Sequence, residues 1–186
     1  MLKLTRRRAA LAAFANLALT AACGNGVGNT NPQKIDARVD ATLGFLFQNY
    51  PESREVSAKS VAALVMPVIT EAGIGIGGSY GQGALRVDGI TVDYYSAAAA
   101  NFGLQIGAQQ YAHVLFFMSQ ESLERFRRNE GWAAGADIEY AFSNEGDNFR
   151  TDTNSGLSPV VAYVFGQAGA RLGATIEGIK YTRIIP

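Results

Sequence analysis

A glycine-rich stretch in the first half of the chain constrains the fold more than any other feature. Residues 73–83 read Gly-Ile-Gly-Ile-Gly-Gly-Ser-Tyr-Gly-Gln-Gly and hold six of the 21 glycines. Up to Gly77 a glycine stands at every second position, and alternate residues of a strand face opposite sides of a sheet. One face is therefore nearly bare, which lets another backbone approach closely. We expect residues 73–83 to form a β-hairpin whose bare face serves packing.

The same stretch matches two catalytic motifs by letter, but the surrounding sequence argues against both. A GxGxxG motif at Gly73, Gly75 and Gly78 would need a helix directly after it, whereas the chain continues as strand. A GxSxG motif would place Ser79 on a strand-to-helix turn and would need a histidine later in the chain. The only histidine, His113, follows 34 residues later in an apolar strand. We interpret His113 as a core or edge residue with a local hydrogen bond, and keep a hydrolase acting through Ser79 only as an alternative to test.

The residue types in this sequence do not favour a metal-binding site. One histidine and one cysteine are too few for a zinc site. The oxygen-rich residues 147–154 lack the spacing and the helices of a calcium-binding EF-hand, so we interpret them as a solvated loop. The sequence predicts a protein that is not an enzyme and has no metal or cofactor.

The N-terminal residues 1–23 have the pattern of a bacterial lipoprotein signal peptide. Lys3 and three arginines at 6–8 precede an apolar run, Ala9 to Leu19, that is too short to span a bilayer. The only cysteine, Cys23, stands at the expected cleavage point in a sequence that resembles a lipobox, so we predict that Cys23 is the lipid attachment site. An ordinary cleavage site is the alternative. The arginines also resemble a twin-arginine signal, and the export route stays open.

Removing this signal leaves an acidic chain. The full chain has 16 basic and 16 acidic residues; the signal holds four of the basic ones and no acidic one, which leaves 12 against 16. A net charge of −4 argues against nucleic acid as a partner. We expect a short tether at 24–31 and a single domain at 32–186.

Three helices are predicted. Asn31-Pro32 favours a helix start, with Asn31 as the N-cap. Apolar residues then follow at helical spacing and predict one face that packs on the domain core, at Ile35, Val39, Leu43, Leu46, Phe47 and Tyr50. Lying on a membrane is the alternative for this helix. A second, shorter helix is expected at 52–60 and a third at 119–129, capped by Ser119.

The remaining segments predict short strands. Asp88-Gly89 is a strong hairpin signal between two apolar strands. Further strands are expected at 102–107, 111–118, 132–142, 157–166, 170–176 and 178–185, with a polar loop at 143–156. The predicted fold class is α+β, a mainly antiparallel and barrel-like sheet with two or three packed helices.

Several motifs in this order resemble the SYLF domain family, over about residues 55–185. The motifs are Ala58-Lys59, an apolar run to Pro67, the segment Glu71 to Gly83, and Gly-Leu-Gln-Ile-Gly-Ala-Gln at 103–109. The resemblance departs at Ser60, where the family commonly has glycine, and in the loop at 144–154.

The resemblance implies lipid binding, chiefly to phosphoinositides and other anionic lipids. Family lipid binding is associated with an N-terminal amphipathic helix and nearby basic residues, which by position implies Lys34, Arg38, Arg54 and Lys59 as lipid-binding candidates. Yeast relatives also bind actin, but an exported bacterial protein meets none in its own cell, so actin binding is not transferred.

These observations predict a non-catalytic lipid- or membrane-binding module. Its partners would be membrane lipids. We expect it at the bacterial outer membrane, because Gly24 rather than aspartate follows the cysteine. The inner membrane stays an alternative location. The alternative function is an envelope scaffold that binds a protein partner through the glycine-bare sheet face.

Overall fold

The computed structural model describes residues 31–129, 131–133, 138–141, 158–166, 176 and 178–186. Within the strands, the side chains at 73–76, 101–108 and 138–141 are outside this description. The predicted signal peptide, Cys23 and nearly all of the tether lie outside the described residues. So do the loop expected at 143–156 and all but Ile176 of the strand expected at 170–176.

The described part of the chain contains three helices and six strands. The helices are α1 (Pro32–Asn49), α2 (Ser53–Lys59) and α3 (Gln120–Arg128). The strands are β1 (Ala62–Val87), β2 (Ile90–Phe117), β3 (Trp132–Ala133), β4 (Ile138–Ala141), β5 (Val160–Phe165) and β6 (Lys180–Ile184).

The helices begin where the sequence predicts. The Asn31 side chain accepts a hydrogen bond from the backbone N–H of Lys34 at 3.1 Å, and Pro32 occupies the first helical position. At α3, the Ser119 side chain accepts from the N–H of Ser122 at 3.2 Å. Each cap satisfies a backbone donor that the first helical turn leaves unpaired.

The glycine-rich stretch does not form a hairpin, so that prediction is wrong. It is the middle of β1, which runs without a turn for 26 residues and pairs antiparallel with β2. The turn lies at Asp88-Gly89, as predicted, and both residues have positive φ angles, 50° and 76°. Pro67 does not end the strand because it lies where the register shifts between Met66 and Ile69, and such irregularities accommodate proline.

The remaining strands assemble along β2. The sheet order is β3-β6-β2-β5-β4, with β1 also paired to β2. The first half of β2 pairs with β6 and its last residues pair with β5. Every pairing is antiparallel except that of β4 with β5. The predicted class, α+β with a mainly antiparallel and curled sheet, is confirmed.

The bare face of the glycine stretch serves packing, as expected. A β-carbon on Gly83 would overlap the carbonyl oxygen of Val65, and one on Gly81 would overlap that of Val68. The paired strands β1 and β2 therefore fold back far enough for the second half of β1 to lie on its first half. Only a residue without a side chain allows two backbones to approach this closely.

Two apolar clusters lie on opposite faces of the curled sheet. The inner cluster is enclosed by the sheet and α3, and it includes Leu64, Leu85, Leu115, Phe126 and Tyr181. The outer cluster lies beneath α1 and includes Ile35, Val39, Leu46, Val114 and Phe116. The predicted apolar face of α1 thus packs on the domain's own core, which confirms the favoured interpretation of that helix.

Candidate functional site

Helix α1 has two chemically different flanks beside its buried face. The face centred on Ile35, Val39 and Leu46 lies on the sheet. Successive helical residues are rotated by about 100°, so Asp36 and Asp40 project on one side of this face and Lys34 and Arg38 on the other. The charges of α1 balance in number, but they are separated in space.

The acidic flank is bound to the sheet by Arg86 of β1. The Nη2 atom of Arg86 lies 2.7 Å from Oδ1 of Asp40 and 3.5 Å from Oδ1 of Asp36. Asp36 also accepts hydrogen bonds from the hydroxyls of Thr91, at 2.7 Å, and Tyr94, at 2.9 Å. Burial and the hydrogen bond to Asp36 raise the pKa of Tyr94. The two carboxylates of α1 are therefore occupied by contacts within the domain.

The basic flank is left exposed by this arrangement. Lys34 and Arg38 are both exposed, and their side chains have no ion pair within the described residues. They lie one helical turn apart and so present two adjacent positive charges. The structure brings these two predicted residues together.

The other two predicted residues lie elsewhere. The Arg54 guanidinium lies 5.1 Å from the centre of the Phe47 ring, near the C-terminal end of α1, in the geometry of a cation–π contact. Lys59 is exposed in the last turn of α2. Phe47 is about 20 Å along the helix axis from Lys34. The four candidates therefore do not form one cluster: Lys34 and Arg38 lie together on α1, whereas Arg54 and Lys59 belong to α2.

Sequence reasoning missed Arg86. Its partners in α1 precede it by 46 and 50 positions, and no local pattern joins them. A lone arginine beside the Asp88-Gly89 turn was the only available signal. Arg86 also donates a hydrogen bond from Nη1 to the Gly89 carbonyl at 2.9 Å, so its side chain links the turn to α1.

A second ion-pair group lies on the inner side of the sheet. Asp93 is buried, and its carboxylate binds the guanidinium groups of Arg127 and Arg183. Arg127 Nη2 lies 3.0 Å from Asp93 Oδ2 as an ion-pair contact, but the alignment is not that of a hydrogen bond. This group joins α3 and β6 to β2, and no local sequence pattern indicates it.

Ser79 and His113 do not form a catalytic pair. Ser79 is buried within β1, opposite Ala99 in β2, and not at a strand-to-helix turn. His113 is completely buried, and its Nε2 atom is hydrogen-bonded to the Tyr181 hydroxyl at 2.8 Å. Burial lowers the pKa of His113 to about 3, so its ring is neutral at physiological pH. The interpretation of His113 as a core residue with a local hydrogen bond is confirmed.

Within the described ranges, no three His, Cys, Asp or Glu side chains are grouped so that they could hold a metal ion. Among the same residues, no helix combines the length and the apolar character needed to cross a bilayer.

Comparison with known proteins gives one family match. Residues 98–183 match the model of the family Ysc84, which is described as "Las17-binding protein actin regulator". The matched range starts within β2 and takes in α3 and β3 to β5, and most of β6. No curated protein matches the chain. The basic flank of α1 and residues 73–83 both precede the matched range.

Proposed function

Residues 98–183 belong to the Ysc84 family, whose domain is the SYLF domain, and from this premise we propose that the protein is a non-catalytic lipid-binding module. The lipids it binds would be anionic phospholipids, including headgroups of the phosphoinositide type. The basic flank of α1, formed by Lys34 and Arg38, would contact their phosphates. The protein would be exported and held by a lipid on Cys23, at the outer membrane.

The observation that carries this proposal is the separation of charge on α1. A helix with two acids and two bases has no net attraction for an anionic surface. Because Arg86 binds Asp36 and Asp40 on one flank of α1, Lys34 and Arg38 present two adjacent positive charges on the other flank. Each basic side chain near an anionic membrane contributes about 1 kcal/mol, which is reduced by salt. Such weak contacts are suited to reinforcing a lipid anchor, which on its own gives marginal attachment.

The proposal does not extend to actin or to Las17, the partners named in the family description. The predicted export of the chain would separate it from the cytoplasm of its own cell. The alternative, a protein partner on the glycine-bare face, loses support at Gly81 and Gly83. There the chain's own backbone, at Val68 and Val65, already occupies the face.

Vesicle sedimentation tests the proposal. A chain starting at Asn25 lacks Cys23 but retains every described contact, and circular dichroism would first establish that it folds. We expect it to sediment with vesicles that contain phosphatidylglycerol, to sediment less at higher salt, and not to sediment with neutral vesicles. The double variant Lys34→Gln/Arg38→Gln should weaken binding by at least tenfold, since about 1 kcal/mol per charge is about a fivefold effect each.

A matched control removes two charges elsewhere. Arg125 and Arg128 are exposed on α3 and pair with Glu121 and Glu124. The variant Arg125→Gln/Arg128→Gln changes the net charge by the same amount and should bind almost as well as the unchanged chain. If the chain binds neither kind of vesicle, or if both double variants lose affinity equally, the proposal is wrong.

A further inference from the structure

One end of the sheet exposes three aliphatic side chains. Ile90 follows the Asp88-Gly89 turn and is 68% exposed, Val92 is 41% exposed, and Ile185 is 97% exposed. Among the described residues, one other large hydrophobic side chain is exposed, that of Phe45, and its ring stacks on Phe165 with centroids 5.7 Å apart. Among the side chains that the structure describes, these three are thus the large aliphatic ones that lie in solvent.

The strand register places Ile185 near the start of β2, which contains Ile90 and Val92. β2 pairs with β6 so that Tyr94 is opposite Ile184. Ile185, the next residue, therefore lies level with Asp93 and adjacent to Val92, on a strand about 4.8 Å away. We call this region the hairpin end: Ile90 and Val92 of β2 together with Ile185.

Charged side chains of both signs border the hairpin end, among them the exposed Asp88 of the turn. Arg183, whose side chain is 67% exposed, binds Asp93 from the neighbouring strand β6. Arg86 binds the Gly89 carbonyl of the turn and both acids of α1. Through Arg86, the turns of α1 that carry Lys34 and Arg38 are held beside the hairpin. An apolar projection on the same domain as the exposed Lys34 and Arg38 is complementary to a bilayer with anionic headgroups above its acyl chains.

The course of the chain points to the same end. Helix α1 begins at Pro32, and Asp36, one turn later, is bound to Arg86 and Thr91 beside the hairpin. The chain therefore enters the domain near the hairpin end. Cys23 precedes Asn31 by eight residues, a segment that spans at most about 27 Å when extended. A lipid on Cys23 would hold this end of the domain close to the membrane.

We infer that the hairpin end is the part of the domain that enters the lipid surface. Ile90, Val92 and Ile185 lie at the boundary between headgroups and acyl chains, and Lys34 and Arg38 contact headgroup phosphates. The inference rests on the proposed lipid binding and adds to it an apolar contact and an orientation, with α2 directed away from the bilayer.

Depth-dependent quenching tests this orientation on the full chain. The chain has a single tryptophan, Trp132, which would be changed to phenylalanine so that one new tryptophan reports its own position. One variant carries Ile90→Trp. The matched control carries Ala58→Trp, at an exposed position of α2 near the other end of α1. Both chains would be attached to phosphatidylglycerol vesicles with brominated acyl chains, and their fluorescence compared with that on unbrominated vesicles.

We expect bromine to quench a tryptophan at position 90 strongly, and a tryptophan at position 58 no more than in free solution. Equal quenching at both positions, quenching at 58 alone, or no quenching at either position would each overturn the inference. The full chain stays on the vesicle through its N-terminal residues, so this result is separate from the proposed function. Failure of the unanchored chain to sediment overturns lipid binding, whereas failure of position 90 to be quenched overturns only the orientation.

A pair of polar substitutions gives a second measurement. Ile90→Ser/Val92→Ser removes two of the three aliphatic side chains of the hairpin end and changes no residue of the described ion pairs. We expect it to weaken vesicle binding of the unanchored chain by about tenfold, with the salt dependence unchanged. The Lys34→Gln/Arg38→Gln variant should instead reduce the salt dependence. Unchanged affinity of the serine variant would contradict insertion of the hairpin end.

Discussion

The hydroxyl of Tyr181 lies 2.8 Å from Nε2 of His113, and both side chains are buried within the sheet. The other ring nitrogen of His113, Nδ1, has no hydrogen-bond partner among the described residues. The rings also meet edge to face, with centroids 5.7 Å apart. The pair joins the last strand to the C-terminal part of β2, and protonating the imidazole would place an unsolvated charge in the core.

This pair makes the stability of the fold depend on pH. Burial lowers the pKa of folded His113 from 6.5 to about 3, so between these values the unfolded chain binds a proton that the folded chain does not. Stability should therefore fall as pH falls below about 6.5, by up to about 1.4 kcal/mol per pH unit. Urea titrations at pH 7, 6, 5 and 4 measure this slope. His113→Gln does not titrate, so a variant with the same slope as the unchanged chain would show that His113 is not responsible.

A methyl group at Gly83 should disrupt the fold. Its β-carbon would overlap the Val65 carbonyl, and neither backbone can move without unpairing β1. We expect Gly83→Ala to lower the free energy of unfolding by about 1–3 kcal/mol. Gly44→Ala is the matched control, because nothing lies within 4 Å of that site in α1. It should raise stability by about 0.5–1 kcal/mol through helix propensity. Equal effects in chemical denaturation would refute the close backbone packing.

Removing Arg86 should release the acidic flank of α1. Its side chain is largely buried and binds two carboxylates and the turn, so Arg86→Gln should cost about 1–3 kcal/mol. The same variant should weaken binding to anionic vesicles, because it removes the positive charge that offsets part of the negative charge of Asp36 and Asp40. Arg128→Gln breaks an exposed pair with Glu124 and should cost less than about 1 kcal/mol. An Arg86 variant that unfolds and binds like the Arg128 variant would contradict this role.

Phe126 anchors α3 in the inner cluster. Its ring lies 4.8 Å from that of Tyr95 and 5.0 Å from that of Phe117, measured between centroids. We expect Phe126→Ala to destabilise the protein by about 3–5 kcal/mol because it leaves a cavity. Phe45→Ala removes a ring of the same size that is 40% exposed, and should cost less than about 2 kcal/mol. Thermal denaturation of both variants would reveal whether α3 is packed as described.

Local signals predicted the helix starts and the turn correctly. Asn31-Pro32, Ser119 and Asp88-Gly89 each act within four residues, and the chemistry that selects them is the hydrogen bonding and backbone geometry of those residues alone. For the same reason the apolar face of α1 could be read from spacing, since its residues all contact the same surface.

The glycine stretch was misjudged because glycine has two uses that a sequence does not distinguish. It permits turns, and it permits close approach of backbones. Within the described strands, positive φ angles occur at neither Gly81 nor Gly83, so here the second use applies. Which use is required depends on Val65 and Val68, 13 to 18 positions earlier. Likewise, the contacts that hold Asp36 and Asp40 could not be predicted, because Arg86 follows them by 50 and 46 positions.

The continuous pairing of β1 with β2 also has a consequence for how the chain folds. Paired residues are three positions apart at Val87 and Ile90, and 55 apart at Ala62 and Phe117. Each new pair is adjacent to one already formed, so no single step has to close a long loop. The chain entropy is therefore lost in many small steps. We expect the pairing of β1 with β2 to begin at Asp88-Gly89 and to proceed towards Ala62 and Phe117. The self-contact at Gly81 and Gly83 would then form late, after the strands on both sides of it are aligned.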